Sequence, residues 1–132
     1  MFTGDTVFLT GFGTARCDFP NGSASQLYDS IQKIYALPDN TRQYVGHVYG
    51  RDAEDQTFRC MTTIGEQKKS NIHVKAGTTK EEFVNLRESR DRTLDVPKLL
   101  YASLQVNIRN GKLPPAESNG KSYLKLPLTV TK

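Results

Sequence analysis

The chain has 132 residues, of which 36% are hydrophobic and 24% are charged, the composition of a soluble globular protein with one domain. Its longest uncharged stretches are too short and too polar to cross a bilayer, and its N-terminus lacks the basic and apolar regions of a signal peptide, so we expect a cytoplasmic protein without membrane contacts. The net charge is +4, with +5 in residues 96–132 and −1 in the rest; this dilute excess, not interleaved with aromatic residues, predicts a solvated tail and no nucleic-acid partner.

The first third of the chain predicts a strand, a helix and a second strand. Residues 6–10 are β-branched and aromatic and lie between glycines, which is typical of a buried strand. A helix is predicted from Ser23, which can cap it, to residues 37–38. Its apolar positions recur at helical spacing: Leu27, Ile31 and Ile34. Residues 42–46 form the second predicted strand and place His47 at its carboxyl end, where rigid backbone often holds a functional side chain.

Helices dominate the predictions for the middle of the chain. Residues 50–60 are expected to be irregular and residues 62–71 helical. Thr78 and Glu81 have the spacing of a capping box and begin another helix, and residues 95–97 begin a last one. The expected inward-facing residues of these two helices are Phe83, Val84 and Leu86, and then Leu99, Leu100, Leu104 and Ile108. Asn110 and Gly111 are expected to end the last helix.

Together these elements predict an α/β fold in a single domain. Residues 1–49 are its strand-helix-strand part, residues 50–111 are helical, and residues 112–132 are an irregular tail rich in proline and glycine. Cys17 and Cys60 have no framework spacing and are expected to remain reduced thiols.

Residues 13–22, GTARCDFPNG, could be a phosphate-binding loop, a metal-binding turn or an ordinary loop. Arg16 stands where a dinucleotide motif needs its third glycine, and the helix starts too late, which argues against nucleotide binding. A metal site would need carboxylates, because the chain has only two histidines, His47 and His73. Asp18 and His47 come to neighbouring strand ends and could be ligands or structural residues. His73 is expected at the surface or at a helix end, and no motif identifies a catalytic nucleophile.

Six segments of the chain, taken together, form a recognisable combination: FTGDTVFL, GTARCDFPNG, LYDSIQKIYALPDNT, GHVYG, TIGEQKKSN and LQVNIRNGKLP. In this order they resemble the C-terminal half of metallo-β-lactamase-fold proteins. The most similar groups are the persulfide dioxygenases and the bacterial β-lactamase-like hydrolases. The resemblance covers nearly the whole chain and implies part of an αβ/βα sandwich, in which two sheets pack between outer helices and the metal lies at one edge.

This resemblance implies the site residues position by position. Asp18 is a metal ligand, and His47 lies near that metal or ligates a second one. The metal is one Fe(II) in the persulfide dioxygenases and a zinc pair in the hydrolases. Tyr49 is expected to contact a thiol substrate such as glutathione persulfide. Lys68 stands where an arginine meets the glutathione carboxylate, so that contact becomes weaker and monodentate. Val48 replaces a residue that is commonly acidic.

The family's His-x-His-x-Asp-His cluster and its next histidine are not among these residues, so one of three iron ligands is present. Three hypotheses follow. The chain is a truncated and inactive member, one half of a split enzyme completed by a histidine-bearing N-terminal chain, or a non-enzymatic thiol-binding module around Tyr49 and Lys68. A homodimer cannot complete the site, because each copy brings the same residues. A sheet face left without a partner is expected to cause self-association.

Overall fold

The computed structural model describes residues 1–50 and 58–128. Within these ranges it contains the strands β1 (Phe2–Gly4), β2 (Arg42–Val45) and β3 (Met61–Thr63) and the helices α1 (Ala24–Tyr35), α2 (Ile64–Ser70), α3 (Lys80–Asp91) and α4 (Leu100–Asn107). The strands form one sheet in the order β1-β2-β3, with β1 parallel and β3 antiparallel to β2. The predicted α/β class is confirmed.

The first strand lies earlier than predicted. Residues 2–4 form β1, whereas the run at residues 6–10 contributes only an isolated bridge to Thr14. The physical reason is a reversal of the chain, since the backbone N–H groups of residues 12 and 13 both donate to the carbonyl oxygen of Leu9, at 2.8 and 3.2 Å. The run therefore turns back instead of continuing as a strand. Its predicted burial is correct for Val7, Phe8 and Leu9.

The hydrophobic core lies in residues 1–94, the first of two compact units; the second is residues 95–132. The buried core residues are Val7, Ile31, Tyr35, Ile64, Val74 and Phe83, with Leu27, Tyr28 and Ile34 partly buried against them. The helix predicted from Ser23 is confirmed as α1, because the Ser23 hydroxyl accepts a bond from the Gln26 N–H at 3.3 Å and the predicted apolar stripe packs into the core.

Both middle helices begin with a capping box. Helix α2 starts two residues after the predicted start, because β3 occupies residues 61–63 and Thr63 then caps the helix together with Glu66. Helix α3 is capped by Thr79 and Glu82.

The predicted pair for α3, Thr78 and Glu81, is one residue too early. The Thr78 hydroxyl instead accepts a bond from the Lys75 N–H at 2.9 Å, which stabilises the preceding turn. Phe83 is buried as predicted, but Leu86 is 40% exposed.

The second unit contains α4 and the segment after it. The predicted inward face of α4 is wrong, since Leu99, Leu104 and Ile108 are 71%, 55% and 84% exposed and no residue of α4 is buried. The Gln105 side chain ties the following segment to the helix, accepting from the Lys125 N–H at 2.9 Å and donating to the Lys125 carbonyl at 2.7 Å. Residues 112–128 carry neither helix nor strand. In the part of the chain that the structure describes, no helix has the length and apolar character needed to span a bilayer.

Candidate metal-binding and thiol-binding residues

Asp18 lies in a tight turn over residues 17–22. The Gly22 N–H donates to the Phe19 carbonyl at 2.8 Å, and a Cβ on Gly22 would lie 2.7 Å from the carbonyl carbon of Cys17, so only glycine fits there. Arg16 holds the Asp18 carboxylate with two bonds, from Nε to Oδ1 at 2.6 Å and from Nη2 to Oδ2 at 2.5 Å. These bonds lower the pKa of Asp18, so its carboxylate is ionised at neutral pH, the form that binds metals.

An open cavity of about 530 Å³ adjoins this turn. It lies between the turn, the start of α1 and the end of α3, and the Asp18 side chain, 34% exposed, lines it. The carboxylate is therefore reachable from solvent.

A buried network holds the start of the turn against α3. Arg87 donates to Asp91 Oδ1 from Nε at 3.0 Å and from Nη2 at 2.7 Å, and its Nη1 donates to the Thr14 carbonyl at 3.3 Å. The other oxygen of Asp91 accepts from the Cys17 N–H at 2.7 Å. The side chains of Arg87 and Asp91 are 2% and 5% exposed. Both ends of residues 14–17 are thus fixed to one helix, directly before Asp18.

His73 belongs to this network. Of its two predicted positions the surface is wrong, and the residue lies just after the end of α2. The residue is 8% exposed, and its Nδ1 accepts from the Thr14 N–H at 2.9 Å and lies 3.2 Å from Arg87 Nη1. Because both neighbours are donors, the ring is neutral with its proton on Nε2. Burial, aided by the positive charges of Arg87 and Arg90, lowers the pKa of His73 to about 4. His73 is therefore a buried acceptor that positions the turn.

His47 follows β2 and is paired with Asp5. Its Nδ1 lies 2.6 Å from Asp5 Oδ1. Gly46 makes this approach possible, since a Cβ there would lie 2.7 Å from the same oxygen, and its N–H donates to the Gly4 carbonyl at 2.9 Å. With Nδ1 facing a carboxylate, Nε2 is the ring nitrogen left for a metal. Asp18 is held by Arg16 and His47 by Asp5, so their joint role in one site stays a prediction.

The two residues assigned to the substrate have different surroundings. Tyr49 is 61% exposed and packs edge-on against Phe8 and Phe12, with ring centroids 5.1 and 6.0 Å away, and it stacks on His47 at 6.0 Å. Lys68, on α2, pairs with Asp39 at 2.6 Å. Tyr49 thus presents an exposed aromatic face next to His47, whereas the ammonium group of Lys68 is paired with the Asp39 carboxylate.

The described residues alone do not fit a complete metal site. In residues 1–50 and 58–128 no group of three or more His, Cys, Asp or Glu side chains is placed to hold a metal ion. Asp18 and His47 offer one donor each, and a stable site needs at least three protein ligands. Further donors would have to come from outside the described part of the chain.

Sequence reasoning missed Asp5, Arg87 and Asp91. Phe83, Arg87 and Asp91 are four residues apart, a spacing that places them on one helix face beside a core residue. That spacing was the available signal for the Arg87–Asp91 pair. Asp5 had no local signal, because its partner His47 is 42 positions away.

Comparisons with known proteins agree with this fold. No family model matches the chain. It is 52% identical over 132 residues to "Glyoxylase B2" of Dictyostelium discoideum, covering all of this chain and 44% of that protein. It is 56% identical over 129 residues to a "Beta-lactamase hydrolase-like protein" of Agrobacterium fabrum, covering 98% and 29%. A more distant relative, a "Hydroxyacylglutathione hydrolase" of Pelagibacter ubique, is 31% identical over 116 residues, covering 69% and 46%.

A solved structure has the same fold. The metallo-beta-lactamase of Staphylococcus aureus subsp. aureus COL matches 98% of this chain and 33% of its own, with a TM-score of 0.61 and 23% identity. The chain therefore spans less than half the length of each of these proteins, and the predicted partial fold is confirmed.

Proposed function

Because the chain belongs to the metallo-β-lactamase-fold proteins, of which it represents the C-terminal half, we propose that it supplies Asp18 and His47 to the metal centre of a hydrolase that cleaves glutathione thioesters. The relative named hydroxyacylglutathione hydrolase supports this substrate class. The remaining ligands come from a histidine-bearing N-terminal segment or chain. By themselves, the described residues 1–50 and 58–128 offer two donors, Asp18 and His47, which are too few for tight metal binding, so we expect no activity from them alone.

The observation that carries this proposal is the His47–Asp5 pair at the end of β2. A metal-ligating histidine commonly donates a hydrogen bond from the N–H of its other ring nitrogen to a carboxylate. This bond fixes the ring and raises the basicity of the nitrogen that binds the metal. The 2.6 Å separation of His47 Nδ1 and Asp5 Oδ1 has this arrangement. Asp18 is ionised and its turn is fixed to α3, which supports the proposal of Asp18 as the second donor.

The substrate contacts belong to the same proposal. The exposed ring of Tyr49 offers a face for the thiol-bearing part of glutathione next to His47. Lys68 attracts a glutathione carboxylate, and to do so it exchanges its partner Asp39 for that carboxylate. Lys68→Ala is expected to raise KM and leave kcat unchanged, the pattern of lost uniform binding.

Complementation tests the proposal. The chain is co-expressed with the part of the Dictyostelium relative that it does not match, and the purified complex is assayed for metal content and for hydrolysis of a hydroxyacyl-glutathione thioester. We expect metal and activity in the complex and neither in the chain alone. Asp18→Asn should abolish both, whereas the matched control Asp29→Asn, at an exposed carboxylate paired with Lys80, should leave both unchanged. A complex without metal, or an Asp18→Asn complex that retains it, contradicts the proposal.

The second candidate is oxidation of glutathione persulfide with one Fe(II), because the segments that contain Asp18-Phe19 and His47-Val48-Tyr49 resemble the persulfide dioxygenases as well as the hydrolases. The same complex separates the two candidates. Two metal ions per complex, one of them lost in His47→Ala, support the hydrolase. One iron retained in His47→Ala, with persulfide-dependent O2 uptake, supports the dioxygenase. Glutathione binding by the metal-free chain, without activity in the complex, supports a thiol-binding module.

A further inference from the structure

We propose that the buried ion pair of Arg87 and Asp91 is a positioning device for Asp18, which fixes the backbone of the metal-binding turn before a metal arrives. This inference rests on the proposed role of Asp18 as a metal ligand. It assigns to α3, which carries no metal donor in the proposed function, a measurable part in metal affinity.

The contacts of the pair hold both ends of residues 14–17, the segment that leads into the turn. Arg87 uses two nitrogens for Asp91 and the third for the Thr14 carbonyl. Asp91 uses one oxygen for Arg87 and the other for the Cys17 N–H, at 2.7 Å. Because the Cys17 N–H is one residue before Asp18, this bond restrains the path by which the chain enters the turn. Arg16 then orients the Asp18 carboxylate itself.

Stability alone does not account for a buried ion pair at this place. Desolvation of two charges costs about as much as their attraction returns, and apolar replacements of similar volume are often neutral or stabilising. An apolar pair, however, cannot bind the Thr14 carbonyl and the Cys17 N–H. The specific contribution of Arg87 and Asp91 is therefore to the conformation of residues 14–18.

The test uses the double variant Arg87→Met with Asp91→Leu, which removes both charges and keeps most of the volume. Its matched control is Lys80→Met with Asp29→Asn, which removes an exposed ion pair that also involves α3. The readouts are the thermal midpoint and the hydrogen exchange of the Cys17 amide in the metal-free chain, and the zinc affinity of the complemented complex described above.

We expect the double variant to fold, its Cys17 amide to exchange at least about tenfold faster, and its complex to bind zinc about 10- to 100-fold more weakly, the usual loss when a group supporting a metal ligand is removed. The control should match the wild type in Cys17 amide exchange and in zinc affinity. If the double variant does not fold, Arg87→Lys replaces it. Lysine keeps the charge next to Asp91 but lacks the fork that also reaches Thr14, so a smaller loss of zinc affinity is expected.

The failures are distinguishable. Zinc affinity equal to that of the wild type, or a Cys17 amide that exchanges at the wild-type rate, overturns the positioning role and leaves the proposed function standing. A wild-type complex that binds no zinc, or whose affinity is unaffected by Asp18→Asn, overturns the proposed function and this inference together.

Discussion

At the scale of single residues, His73 makes the stability of the protein depend on mild acid. The folded state keeps the pKa of His73 at about 4, against 6.5 in the unfolded chain. As the pH falls, His73 therefore takes up a proton in the unfolded chain before it does so in the folded protein. Its contribution to the free energy of unfolding is complete above pH 6.5 and is lost as the pH falls towards 4. The loss amounts to about 3 kcal/mol at the lower end.

Urea unfolding at a series of pH values between about 7.5 and 4.5 measures this dependence. His73→Gln does not titrate, and its amide oxygen can still accept from the Thr14 N–H, so this variant should show a flatter profile. An NMR titration in which His73 ionises near 6.5 would contradict the expectation. Asp18, Glu66 and Glu82, whose pKa values are lowered, contribute at more acidic pH, because their stabilising charges are lost only below their ordinary values.

Gly22 gives a second prediction at this scale. Gly22→Ala places a Cβ against the backbone of Cys17 and Phe19, which must then move. We expect a loss of about 1–3 kcal/mol in unfolding free energy, the usual cost of overpacking. Gly11→Ala is the matched control, because nothing lies within 4 Å of its Cβ. Equal thermal midpoints for the two variants would show that the turn tolerates the methyl group.

At the scale of elements, the start of α3 is set by its capping box. Thr79→Ala removes the oxygen that accepts from the Glu82 N–H at 3.2 Å and should cost about 1 kcal/mol. Thr79→Ser keeps that oxygen and should retain most of the stability. Chemical denaturation of both variants measures the difference, and a serine variant as unstable as the alanine one would argue against capping as the cause.

Elements that depend on local spacing could be predicted, and those that depend on distant partners could not. Helix α1 follows from Ser23 and an apolar stripe within 12 residues. Strand β1 exists only through its pairing with β2, some forty residues later, so the local pattern predicts a strand in the more β-prone run after it. For α4, spacing identified the residues that share a face, but it carries no information on what covers that face.

In the candidate site, too, local features can be predicted from the sequence and contacts between distant residues cannot. Only the resemblance implies that Asp18 and His47 are metal ligands. The spacing of residues is equally compatible with a structural role for both. The partner of Asp18, Arg16, is two residues away and visible in the sequence. The contact between Asp91 and Cys17 joins positions 74 apart, and only the folded chain shows it.

At the scale of the whole molecule, all the residues of the core cluster lie in residues 1–94. We therefore expect a chain ending at Leu94 to fold cooperatively and to keep the protected Cys17 amide. Circular dichroism melts and amide exchange of the shortened and full chains provide the comparison. A shortened chain without a cooperative transition would show that residues 95–132 are needed for folding.

The parallel pairing of β1 with β2 also determines the order in which the strands can pair during folding. The Thr3 hydroxyl donates to the carbonyl of Tyr44, 41 positions later, and β1 pairs with β2 over a similar distance in the chain, so the sheet closes a long loop before it gains a contact. Helix α1 lies inside that loop; its Ser23 cap is local, whereas its buried face packs into a core with Ile64 and Phe83, which follow later in the chain. During synthesis on the ribosome, β1 therefore stays unpaired until β2 has emerged, and the sheet becomes complete only with β3, before the core residues of α3 are available.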